Sequence, residues 1–91
     1  MRVIYKYNLD VISKVQSLRV PGMLPEIKHV AVQNGQITLW IEVDPGDGLL
    51  ETDFKVVATG EAYNGDVWEH VGTVLMLEGS YVWHIMKARK I

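Results

Sequence analysis

HVAVQNGQITLW, residues 29–40, reads as two short strands that meet at Asn34-Gly35. Apolar and polar residues alternate on both sides of that pair, the period of a half-buried strand. Asn-Gly suits a two-residue type I′ turn, because both central residues must accept positive φ. Such a turn fixes a register in which Gln33 faces Gln36, Val32 faces Ile37 and Val30 faces Leu39. One face is therefore apolar. On the other, Ala31 faces Thr38 and His29 faces Trp40, and extending the ladder sets Ile27 opposite Glu42.

The same period dominates the rest of the chain. In "MRVIYKYNL" the odd positions Met1, Val3, Tyr5, Tyr7 and Leu9 are apolar, which predicts a half-buried first strand. "VISKVQSLRV" suggests a short helical turn and then a strand near Gln16 to Val20. "PGMLPE", with Pro21, Gly22 and Pro25, reads as a loop. "FKVVATG" resumes a strand, with Phe54, Val56 and Ala58 on one side and Lys55, Val57 and Thr59 on the other. A second Asn-Gly, Asn64-Gly65, suggests another hairpin tip. The final pair is joined around Glu78-Gly79: with these as the two central turn residues, Leu75 is set opposite Val82, Thr73 opposite His84, Met76 opposite Tyr81 and Val74 opposite Trp83, whereas a three-residue loop would shift the register and exchange the faces. Six or seven short strands in a chain of 91 residues predict a single all-β domain over residues 1–91, a small antiparallel β-sandwich or partly closed barrel.

Composition bounds the function. Hydrophobic residues make up 48% of the chain, as in an ordered globular domain. Apolar runs are short, Val74 to Leu77 being typical, so no membrane span is expected. With no cysteine, disulfides, zinc thiolate sites and cysteine nucleophiles are excluded. A polar N-terminus without a secretory pattern points to an intracellular protein. The net charge of −2 gives no positive field for DNA or RNA. The basic cluster Lys87, Arg89 and Lys90 reads as a solvated tail.

No motif for catalysis stands out. "GDG" at Gly46 to Gly48 lacks the lysine and helix of a phosphate loop. Ser13, Ser17 and Ser80 occupy no nucleophile context. His29, His70 and His84 are not spaced as helical ligands, and the register of the last hairpin sends His70 and His84 to opposite faces, so no metal site is expected. Asp44, Asp47, Glu51 and Asp53 lack calcium-loop spacing. No cofactor is implied. The aromatic set is richer: Trp40, Trp68 and Trp83, with four tyrosines, exceed what one small core absorbs. Trp40, opposite His29, is the first candidate for a stacking platform or an interface.

The elements Val32 to Gly35, Leu39-Trp40, Val43-Asp44, Thr59-Gly60, Gly72-Thr73, Gly79 and Val82 with His84 occur in an order that resembles a family of small, mostly uncharacterised proteins of tailed bacteriophages. The resemblance spans nearly the whole chain. That family's usual proline-containing segment after Thr-Gly-His is replaced here by "TGEAYNG". The resemblance implies an accessory protein in the cytoplasm of the bacterial host, acting by binding rather than turnover. Joined to the surplus aromatics, it leads to the expectation of a homo-oligomer that sequesters a nucleotide-derived immune signal. Trp40 or Trp68 would stack on a base. His29 or His84, with Thr59 and Thr73, would bind ribose or phosphate oxygens, and Lys87 or Arg89 would offset charge. The alternative is a protein–protein module that inhibits a host protein or serves virion assembly. An enzyme, such as a phosphodiesterase using His84 as acid or base, is the least favoured class, because no motif positions a second histidine.

Overall fold

A computed structural model describes residues 1–22 and 25–89. Seven antiparallel strands follow in chain order: β1 (Val3–Leu9), β2 (Gln16–Pro21), β3 (Glu26–Gln33), β4 (Gln36–Val43), β5 (Leu49–Ala58), β6 (Trp68–Met76) and β7 (Tyr81–Ala88). They form a three-stranded sheet, β1-β4-β3, and a four-stranded sheet, β2-β5-β7-β6. The sheets pack face to face as a small sandwich, with no closed barrel and no helix among the described residues. The expected helical turn before β2 is absent; Val11 to Val15 are bends and irregular chain.

The Asn-Gly turn behaves as its chemistry requires. Asn34 and Gly35 adopt φ of 52° and 76°, and the pairs from Gln33–Gln36 to His29–Trp40 form in the expected register. The ladder then breaks. A bulge at Lys28 sets Ile27 opposite Ile41 and Glu26 opposite Glu42. The expected Ile27–Glu42 pair is thereby replaced, and an apolar residue stays on the inner face.

The last hairpin keeps its expected pairs from Met76–Tyr81 to Thr73–His84. A second bulge, at Val71, follows between His70 and Gly72, which pair with Met86 and Ile85. Asn64-Gly65 is not a hairpin tip. Strands β5 and β6 are separated by β7. The Asn64 side chain instead accepts a hydrogen bond from the Asp66 N–H at 2.9 Å, and its carbonyl accepts from the N–H groups of Val67 and Trp68.

Inner faces of both sheets supply one core. Leu9, Ile37, Leu39, Ile41 and Val43 from the first layer meet Val20, Phe54, Val56, Val74 and Ile85 from the second. Tyr7, half-buried at its edge, has its pKa raised by burial and by the neighbouring Tyr5. The layers approach closely where Gly72 of β6 lies against Val30 of β3: a Cβ there would stand 2.7 Å from Val30 Cγ2. At another border the backbone itself joins the sheets, the Asp44 N–H donating to the Pro21 carbonyl at 3.3 Å.

Candidate functional site

The two bulges decide which side chains meet. On an unbroken strand His70 and Thr73 point to opposite faces. The extra residue at Val71 turns His70 outward beside Thr73 and His84, so the expected separation of His70 from His84 is overturned. Their ring centroids lie 5.7 Å apart. Between them stands the Thr73 hydroxyl, 2.8 Å from His70 Nε2 and 3.0 Å from His84 Nδ1. The remaining nitrogen of His84, Nε2, is 2.7 Å from the Thr59 hydroxyl at the end of β5.

Thr59, His84, Thr73 and His70 thus form one hydrogen-bonded chain on the outer face of the four-stranded sheet. Thr73 has a single hydroxyl proton, so with neutral rings the chain runs in one of two directions. In one, His70 Nε2–H donates to Thr73, Thr73 donates to His84 Nδ1, and His84 Nε2–H donates to Thr59. In the other, every donor becomes an acceptor.

The register places further residues on this face. Trp68, half-buried, lies two positions before His70 on β6. Lys55 lies across β7 in the row Lys55–Met86–His70 and forms no ion pair among the described residues. Beneath the polar groups, Val57 and Met86 are buried, which gives the cluster a firm apolar floor. Of the expected site residues, Thr59, Trp68, Thr73 and His84 therefore share one face. Sequence reasoning missed His70 and Lys55.

His29 and Trp40 do meet, with centroids 5.5 Å apart and rings tilted by 42°. They lie on the outer face of the other sheet, with Lys6 opposite Trp40 on β1. The sandwich separates this pair from the His84 cluster, so one chain does not join all six residues into a single site. Nearby, Glu42 draws Arg2 and Lys28 into a charged group. The Lys28 pKa is raised by its hydrogen bond to Glu26 and by the charges of Glu26 and Glu42.

Nor are Lys87 and Arg89 free countercharges. Lys87, only 12% exposed, pairs with Glu69 at 3.1 Å, and Arg89 pairs with the same carboxylate at 3.5 Å. The expected solvated tail is instead tied down; Lys90 lies outside the described residues.

Two clefts flank the seams of the sandwich. One, of about 360 Å³, gathers Glu26, Glu42, Asp44 and Asp47 around Arg2 and disfavours anions. The other, of about 340 Å³, is lined by His70, Glu69, Val71, Lys87, Ile27 and Glu26, so His70 stands where the open face meets a cleft. Among the described residues no three of His, Cys, Asp or Glu converge as a metal cluster, and no helix is long and apolar enough to cross a membrane.

Fold and face together define a small β-sandwich module that carries a histidine–threonine cluster on an exposed sheet surface. The chain belongs to the family described as a domain of unknown function, DUF7352, whose model matches residues 1–90. No curated protein and no solved structure matches the chain.

Proposed function

We propose that the chain is a phage accessory binding protein that sequesters a nucleotide-derived signal of bacterial immunity on the outer face of its four-stranded sheet. The observation that carries this reading is the hydrogen-bonded set Thr59–His84–Thr73–His70, which offers several donors and acceptors on a rigid floor beside Trp68. Trp68 stacks on the base. The histidines and threonines bind ribose or phosphate oxygens, and Lys55 supplies the positive charge first sought in Lys87 and Arg89. Among the described residues the space between the sheets is filled by apolar side chains, so the ligand sits on the outer face and a second copy closes over it in a homo-oligomer. The setting is the cytoplasm of the bacterial host, and the action is binding without turnover.

Cyclic oligonucleotides and ADP-ribose derivatives, each added in excess to the pure chain, provide the test. At about 100 times Kd a true ligand raises the melting temperature by about 10 °C or more. His70→Ala and Trp68→Ala remove the shift. An unchanged melting temperature with every nucleotide overturns the reading.

A second reading, as a protein-interaction module, rests on the edge strands. Three of the four edges are guarded: β2 ends in Pro21, β3 has its bulge at Lys28 and β6 its bulge at Val71. Strand β1 has neither proline nor bulge, and its one charged residue, Lys6, donates to the Gln33 side chain. It pairs regularly from Val3 to Leu9 and leaves Val3, Ile4 and Tyr5 exposed by 40%, 57% and 42%. In this reading β1 adds to the β1 of a second copy. A dimeric mass in solution that Ile4→Lys converts to a monomer supports it, and a wild-type monomer at millimolar concentration removes it.

A further inference from the structure

We propose that His70 and His84 form a binding site for a divalent transition-metal ion, with His70 Nε2 and His84 Nδ1 as its protein nitrogens. Both nitrogens are directed at one point, the Thr73 hydroxyl, at 2.8 and 3.0 Å. With metal–nitrogen bonds of about 2.0–2.1 Å, each ring centroid stands about 3.2 Å from the ion, so two ligating rings span at most about 6.4 Å. The observed separation of 5.7 Å lies inside that limit. The rings therefore reach a shared ion with small side-chain rotations, while Thr73 turns aside or contributes its oxygen as a weak third ligand.

The outer contact of His84 strengthens the assignment. A ligating imidazole ordinarily donates its second N–H to a fixed acceptor, which sets the tautomer and the ring plane. Thr59 is placed for this role, 2.7 Å from Nε2. His84 then keeps its proton on Nε2 and turns the Nδ1 lone pair toward the ion, and His70 keeps its proton on Nδ1.

The rest of the site is open. His70 is exposed, the strands beneath are fixed by Val57 and Met86, and solvent completes the coordination. The carboxylate of Glu69 is engaged by Lys87 and Arg89, which offset its charge. Lys55 on the same face weakens binding of a bare cation and favours an anion in the open positions. A two-imidazole site of this kind follows the order Co²⁺ < Ni²⁺ < Cu²⁺ > Zn²⁺. The inference does not rest on the nucleotide reading, because it concerns metal alone.

Calorimetric titration of the chain, produced without a polyhistidine tag, with chlorides of Ni²⁺, Cu²⁺ and Zn²⁺ and no nucleotide tests it. We expect one ion per chain, Cu²⁺ bound most tightly, and affinity at least about ten-fold lower in His70→Ala and in His84→Ala. Thr59→Val weakens binding by about ten-fold through loss of the outer hydrogen bond, and His29→Ala leaves it unchanged. His70 is exposed, so His70→Ala keeps the test informative if His84→Ala does not fold. Equal affinity in wild type and His70→Ala, or no saturable binding at millimolar metal, overturns the proposal.

Discussion

Gly72→Ala is expected to destabilise the sandwich by about 1–3 kcal/mol, the usual cost of forcing an extra methyl into a packed interface. The conformation of Gly72 is not the reason: its φ is not among the positive ones. Space is. The new Cβ would stand 2.7 Å from Cγ2 and 2.8 Å from Cβ of Val30, and no rotamer change moves a Cβ. Strand β6 must shift away from β3, or the two layers must part. Val30→Ala alone costs about 1 kcal/mol, as expected for a half-buried valine. In the double variant the alanine at position 30 removes both Cγ atoms and keeps the Cβ at 2.8 Å, so part of the clash is relieved and the combined loss is less than the sum of the single ones. Urea denaturation of the four proteins measures this coupling, expected at about 1 kcal/mol. Strict additivity would show that the Val30 Cγ atoms do not limit the approach of the sheets.

Phe54→Ala should be more damaging, by about 3–5 kcal/mol. Phe54 heads the fully buried side chains, with no exposed surface, and sits on β5 between Gln16 of β2 and Lys87 of β7. Its removal leaves a cavity where the four-stranded sheet meets the other layer. A chain of this length holds in all about 5–14 kcal/mol, so the loss is a large part of the whole. Lys55→Ala, one residue along and on the opposite face, should change stability by no more than about 0.5 kcal/mol. Equal midpoints for the two variants would refute the placement of Phe54 at the centre of the core.

Much of the fold is readable from the order of the residues. Asn34-Gly35 specifies its own turn type, and the alternation around it assigns each side chain to a face. The last hairpin was equally readable from Val74 through Tyr81. The bulges were not, because counting by twos assumes an unbroken ladder. Their trace is nonetheless present. Ile27 and Val30 are both apolar and three apart, as are Val71 and Val74, and an unbroken strand would send the members of each pair to opposite faces. Gly72 inside a strand is a second signal, since glycine there marks a bulge or a close approach of another backbone. Missing the Val71 bulge hid His70 from the site. Thr59, Trp68, Thr73 and His84 lie on the outer face of the four-stranded sheet, and the alternation of the last hairpin is what sets Thr73 opposite His84. Their division from His29 and Trp40 depends on which sheet each strand joins, and that long-range pairing leaves no local mark.

The unequal guarding of the edges has a consequence for growth. A chain with two permissive edges can add partners at both and extend without limit. Here three edge strands carry a proline or a bulge among the described residues, and β1 carries neither. Two copies that meet along β1 about a two-fold axis each use up the surface that brought them together. Under the edge-pairing reading, no second edge free of proline and bulge is left among the described residues for a third copy, and assembly along β1 would close at a pair.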